Sequence, residues 1–241
     1  YFKNLKTNDQ LFIRKRISWV QLSLGYYEEG WNNFVYNWLK NSHKFKEIKK
    51  ENNNIKYLIN FKQIQNNEKL LIWNDGGYGD FIYQLRLLKY IEGQISFKIY
   101  GNKMSHLIRN QNLIISKAKG FDWHLPINEI PRIINYNPYK HTNYTYDYLI
   151  KPSENFKHYS QYVALSYKTE TSKAKSINHQ LLDKLFIKKK DINFLILQNN
   201  LNENEKFFFS AFKNVDIIEN LDNSLIFKDT FNIINSAKFV I

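Results

Sequence analysis

Apolar and polar positions change their spacing three times along the chain. Leu11, Phe12, Ile13, Ile17, Val20, Leu22 and Leu24 recur as they would on a helix with a broad apolar face. Gly25 follows where a helix cap belongs. Trp31, Phe34, Val35 and Trp38 then share one face of a second helix. So short a break between two helices predicts an antiparallel hairpin. Lys44 to Asn54 is charged and Asn-rich, has no apolar period and reads as a linker.

From Ile55 the pattern shifts to short apolar runs separated by helical periods. Leu70–Trp73 has the composition of a buried parallel strand. Phe81, Ile82, Leu85, Leu87, Leu88 and Ile91 follow with helical spacing. Residues 95–101 alternate as a strand, Met104–Arg109 reads as a short helix, Phe121–Leu125 as a strand and Ile127–Ile134 as a helix. A second series follows "KPSENFKHYS": strands at Tyr162–Tyr167, Phe194–Leu197, Val215–Ile218 and Phe239–Ile241, with helices at Leu181–Ile187, Phe207–Phe212 and Phe231–Ile234. Strand and helix in alternation predict an α/β fold with parallel sheets and crossover helices. The organisation expected is a helical hairpin with linker over 1–54, a Rossmann-like domain over 55–155 and a second, partial Rossmann-like domain over 156–241. The first residue is not Met and the last run is strand-like, so the chain is read as cut at both ends.

Composition narrows this picture only a little. At 241 residues the chain can bury one large core or two smaller ones. No apolar run approaches the roughly 20 residues of a membrane helix, and no signal-peptide pattern is present. The expectation is a cytoplasmic protein, with peripheral contact at the inner face of a membrane. The absence of cysteine excludes disulfides and thiolate metal sites. The net charge of +13 suits an anionic partner, yet it also follows from a chain rich in Lys, Asn, Ile, Tyr and Phe. No stripe alternates Arg with aromatics, so nucleic acid is not expected as a partner. The six histidines show no metal-ligand spacing, and no metal is expected. Asp122 and His124 form a strand-end pair better suited to structure than to catalysis.

The densest signal is "LLIWNDGGYGD" at Leu70–Asp80, where three of the chain's eight glycines follow a strand. A glycine-rich turn between a parallel strand and a helix is a place where ligands bind. Gly76, Gly77 and Gly79 have access to positive φ and let a substrate approach the backbone. Asp80 falls in the first turn of the next helix, where free N–H groups favour a carboxylate. The third glycine of a dinucleotide fingerprint is replaced by Ile82, and no P-loop Lys is present. A carboxylate at this spot also repels phosphate. Two uses remain for Asp80: a general base for a substrate hydroxyl, or a cap for its own helix.

Several stretches, in order, resemble one family. "WVQLSLGYYEEGWNNFVYNWL" resembles a tetratricopeptide repeat through Leu22, Gly25, Tyr27, Gly30 and Trp31. "LLIWNDGGYGDFIYQLRLL" resembles the first strand, turn and helix of bacterial proteins in which such repeats precede a heptosyltransferase-like domain of glycosyltransferase family 9. The family's usual E-Q-G-L-G-D falls on Asp75, Gly76, Gly77, Tyr78, Gly79 and Asp80, with Asp in place of Glu and Gly in place of Gln. "FDWHLPINEIP" is similar to F-D-x-x-x-P-L-x-S-L-P, and "FKDTFNIINSAKFVI" to a later family segment. "YVALSYKTETSKAKSI" resembles the strand and basic loop that open the family's second domain.

The resemblance implies a GT-B fold, two Rossmann-like domains facing a cleft. It implies an inverting, metal-independent glycosyltransferase that moves a sugar from a nucleotide-sugar donor to a glycan or protein hydroxyl, with no cofactor. Asp80 would be the base, with Asp75, Gly76, Gly77, Tyr78 and Gly79 lining the substrate site. Lys168, Thr169 and Lys175 would bind the donor phosphates, and Lys173 lies in the same loop. The helical repeats would offer a peptide-binding surface. The chain stops before the family's later donor-site segment, so this length alone is expected to be inactive. The competing reading is a non-catalytic repeat scaffold with a degenerate transferase-like domain.

Overall fold

The computed structural model describes residues 7–34, 43–101, 105–142, 148–150, 159–168, 176–198, 201–218 and 228–240. The chain divides into two compact units, Tyr1–Ile150 and Lys151–Ile241. Among the described residues no helix is long and apolar enough to cross a membrane.

The first unit opens with the expected hairpin, α1 (Thr7–Ser23) and α2 (Tyr27–Asn33). Gly25 turns the chain between them at φ +86°, a conformation that side-chain-bearing residues rarely adopt. The helices meet closely where a Cβ on Gly30 would lie 2.7 Å from Leu22 Cγ. Helix α2 ends at Asn33, and the Phe34 N–H caps it on the Gly30 and Trp31 carbonyls. The sequence pattern extended this helix further, but Val35 and Trp38 lie outside the described residues. Trp31 docks the hairpin onto the rest of the unit by donating its indole N–H to the Tyr136 carbonyl at 2.7 Å.

The stretch read as a linker is instead largely a helix, α3 (His43–Glu51). Its apolar stripe consists of only Phe45 and Ile48, too few to show a period among four lysines and two glutamates. Ile48 is nevertheless fully buried against Leu71, Trp73 and Tyr100. The end of α3 is tied down as well. The Asn52 amide donates to the Phe121 carbonyl at 2.7 Å, and Glu51 accepts from the Tyr100 hydroxyl at 3.1 Å and from the Ala118 N–H.

Five strands follow: β1 (Lys56–Tyr57), β2 (Lys69–Trp73), β3 (Ser96–Tyr100), β4 (Ile114–Ile115) and β5 (Trp123–Pro126). They form one sheet in the order β1-β5-β2-β3-β4, every pair parallel. Residues 70–73 of β2 are fully buried, as a central strand covered on both faces requires. Helix α4 (Tyr78–Leu85) leaves the end of β2 and buries Phe81 and Leu85. The helix expected at 127–134 is a 3-10 turn, Ile127–Glu129, continuing into α5 (Ile130–Ile133). Beyond β2 the chain builds β3 and β4 on one side, then returns to lay β5 on the other. The order of the strands therefore reverses between β2 and β5, and their carboxyl ends lie level, with Trp73 opposite Pro126.

The second unit repeats this logic with four parallel strands, β6 (Tyr162–Leu165), β7 (Asn193–Ile196), β8 (Val215–Ile217) and β9 (Phe239–Val240). Their order is β8-β7-β6-β9, so the reversal falls between β6 and β9. Helices α6 (His179–Lys188), α7 (Glu203–Ser210) and α8 (Lys228–Ser236) alternate with the strands. Leu165, Leu182, Phe186, Phe194 and Phe209 lie in one core cluster of this unit. Both units are α/β with parallel sheets, as the alternating pattern predicts.

If α3 is part of the first core, Ile48→Ala should destabilise the protein by about 2–5 kcal/mol, the range for truncating a buried Ile. Urea unfolding followed by tryptophan fluorescence measures this. An unchanged midpoint would mean that α3 does not pack on the sheet.

Candidate functional site at the β2–β5 reversal

In open α/β sheets, ligands bind beyond the carboxyl ends of the strands where the strand order reverses. In the first unit that point is framed by the turn after β2 and the turn after β5. Sequence reasoning found the first and not the second.

Asn74 begins the β2 turn, its side-chain oxygen accepting from the Gly76 N–H at 3.1 Å. Asp75 comes next and reaches across to the other turn, where its Oδ1 accepts the Asn128 main-chain N–H at 3.3 Å. Gly77 is the N-cap of α4, with extended backbone. Asp80, three residues on, accepts the Gly77 N–H on Oδ2 at 3.2 Å and stays exposed. The capping use of Asp80 is therefore real, and it coexists with access to solvent.

The glycines do not act as expected. None of Gly76, Gly77 and Gly79 has positive φ. At Gly76 the space is taken by side chains instead: a Cβ there would lie 2.4 Å from Asn128 Nδ2 and 3.0 Å from Asp80 Oδ2, so those side-chain ends would have to shift to admit it. A Cβ on Gly77 would make only ordinary contact, and one on Gly79 would meet nothing within 4 Å. Gly79 adds no side chain to the first turn of α4, where one would meet only open space. Tyr78 begins the helix between them.

Burial is the main cause that pushes the Asp75 carboxyl up to about 7. The Asn128 N–H opposes this, while the negative charges of Glu129 and Asp80 add to it. Glu129 itself is buried and paired with Arg132 at 2.7 Å, and it also accepts the Tyr57 hydroxyl at 3.1 Å. Arg132 continues to the Ile59 carbonyl at 2.8 Å, so the β5 turn is held from behind by a buried network. His124 is part of the core, where burial and then Lys49 push its imidazole down to about 3. Its Nδ1 accepts the Trp73 indole N–H at 3.2 Å. Asp122 accepts the Lys69 N–H at 2.8 Å, so this pair serves structure.

Of the phosphate-binding candidates, Lys168 alone is described; Thr169, Lys173 and Lys175 lie outside the described residues. Lys168 Nζ sits 2.7 Å from Glu205 Oε1 and 2.8 Å from Oε2. The Tyr167 hydroxyl donates to the same carboxylate at 2.7 Å. Burial raises the Glu205 carboxyl, but Lys168, the Asn202 N–H and Tyr167 outweigh it and hold the group below its usual value. A cation already clamped by an internal carboxylate has less charge to offer a phosphate.

Among the described residues no group of three or more His, Asp or Glu side chains could hold a metal. No family model, curated protein or solved structure matches this chain. The site is therefore read from its own geometry. It presents an exposed carboxylate, a half-buried carboxyl able to keep its proton near neutral pH, and an amide side chain, all around one tight turn. Such a set suits proton exchange with a hydroxyl and opposes phosphate.

The Asp75 shift makes stability depend on pH. Between the unperturbed 3.8 and about 7 the native state keeps a proton that the unfolded chain has lost. Stability from this group therefore declines as pH rises from about 4 to about 7, then levels off. Asp75→Asn keeps the acceptor oxygen and removes the charge, so its stability relative to the parent should rise over that interval. Urea midpoints at pH 5 and pH 8 measure the effect. A relative stability that does not change between these pH values would contradict the burial of Asp75.

Proposed function

We propose that the protein is a glycosyltransferase that moves a sugar from a nucleotide-sugar to a hydroxyl acceptor with inversion, using Asp80 as general base. The observation that carries this reading is an exposed carboxylate, fixed by a main-chain N–H, at the reversal point of a parallel sheet. The resemblance of "NDGGYGD" and its neighbours to heptosyltransferase-like proteins supplies the reaction class.

In the proposed reaction Asp80 takes the proton of the acceptor hydroxyl. The oxygen attacks the anomeric carbon, and the bond from that carbon to the phosphate oxygen breaks. The electron pair leaves with the nucleoside diphosphate. Capping fixes Asp80 before substrate arrives, so little reorganisation is needed. The second unit would be the donor half of a GT-B fold, with the hairpin as the last tetratricopeptide-like repeat. The acceptor would be a glycan or a protein, and the enzyme would work in the cytoplasm or at the inner membrane face.

One observation favours the second reading, a non-catalytic scaffold with a degenerate transferase-like domain. It is the internal pairing of Lys168 with Glu205, which occupies a cation the donor would need.

Thermal unfolding of the protein as the cell makes it, with a panel of nucleotide sugars and their parent nucleotides, separates the two. The transferase reading expects at least one to raise Tm, because a ligand that binds only the native state stabilises it. It also expects Asp80→Asn to lower kcat with that donor by about 10²- to 10⁴-fold while donor affinity is kept. No stabilisation by any of them would favour the scaffold, and full activity in Asp80→Asn would remove the proposed base.

A further inference from the structure

Asn128 was not a candidate from the sequence, yet it takes part in the site twice. Its main-chain N–H holds Asp75 at 3.3 Å. Its side chain turns to the other turn and fills the space above Gly76, with Nδ2 2.4 Å from the position a Cβ would take. Asp80 Oδ2 lies 3.0 Å from that same position. A hydrogen-bond donor from the β5 turn and an acceptor from the β2 turn are thus brought side by side. Both residues keep solvent access: Asp80 is exposed and Asn128 half-buried.

We propose that Asn128 is a substrate-binding residue, and that its side-chain amide and Asp80 together grip one hydroxyl group of a sugar acceptor. The inference rests on the transferase reading above and adds to it the residue that selects the acceptor. A hydroxyl is donor and acceptor at once. It gives its proton to Asp80 and takes the amide N–H of Asn128 on its lone pair. A phosphate anion is repelled by Asp80 and by Asp75 once ionised. A primary amine would pair with Asp80, but its ammonium form has no lone pair for the amide. The pair therefore selects a neutral hydroxyl over both alternatives.

The geometry also explains why residue 76 is glycine. A side chain there would displace the Asn128 amide from the place it holds beside Asp80. Both turns are anchored, the β5 turn by the Arg132–Glu129 pair and the β2 turn by the Asp75 bond to the Asn128 N–H. The two turns that carry the donor and the acceptor are thus held before the sugar arrives, which lowers the entropy cost of binding.

The test is a titration of the ¹⁵N-labelled protein with methyl glycosides of gluco, galacto, manno and rhamno configuration, and separately with inorganic phosphate. The expected result is that at least one glycoside shifts the Asn128 side-chain amide resonances and the Gly77 N–H, and that phosphate does not. Asn128→Ala should then weaken that glycoside about tenfold, the worth of one hydrogen bond in a fixed site. The variant should keep the parent urea midpoint, because the contact to Asp75 uses the main chain. Asn128→Asp, which keeps the shape and loses the donor, should weaken binding at least as much. The proposal is overturned if no glycoside moves these resonances, if phosphate moves them, or if Asn128→Ala binds as well as the parent. Stabilisation by a nucleotide sugar with the Asn128 resonances unmoved would leave the transferase reading standing and remove this one. Glycoside binding through Asn128 without any nucleotide-sugar effect would keep the pair as a sugar-hydroxyl site and remove the transferase reading, and with it the role of selecting an acceptor.

Discussion

The contact from the Asn128 main-chain N–H to Asp75 joins two turns that are 53 residues apart in sequence. Strands β2 and β5 are neighbours because the chain returns across the sheet after β4. Their ends are level, so the turns that leave them meet. Once Asp75 is turned inward to reach Asn128, the chain has only Gly76 and Gly77 in which to enter α4. Asp80 then falls at the third position of the helix, where a carboxylate caps its start. A side chain at 76 would have to displace the Asn128 and Asp80 side chains that meet there. Asp75's proton, Asp80's fixed position and the amide above Gly76 all follow from that one meeting of loops.

The second unit has a like strand-order reversal in a four-stranded sheet, and a different outcome. Its central strand β6 also lies at a reversal, and Tyr167 and Lys168 follow its carboxyl end. There, however, the described lysine is paired within the protein. Glu205, in the first turn of α7, collects Lys168, Tyr167 and the Asn202 N–H. Among the described residues, one reversal point presents a carboxylate to solvent and the other pairs its lysine with an internal carboxylate.

Much of the frame was legible in the sequence. β2 announces itself because four fully buried apolar residues in a row have no other place in a parallel sheet. Leu22, Gly25 and Gly30 likewise indicate the hairpin. Helix α3 was not legible, since two apolar residues among charges carry no visible period; their burial depends on what the sheet offers them. β1 and β4, two residues each, are too short to pattern and exist only through their neighbours. The site was half legible. Glycines followed by Asp80 mark a turn from local spacing alone. Asn128 and Glu129 needed the strand order, which no local pattern encodes. The same holds for Glu205, which meets Lys168 from 37 residues away. The glycines also misled in one respect, because their use here is closeness and not positive φ.

The account depends on Asp75 being drawn into the junction of the two turns. The most direct measurement is a pH titration of the aspartate side-chain carboxyl carbons by ¹³C NMR, with Asp75 assigned through Asp75→Asn. The account predicts a midpoint near 7 for this one group. A midpoint near the unperturbed 3.8 would mean that Asp75 stands in solvent, that the turns do not meet, and that the site built on them is wrong.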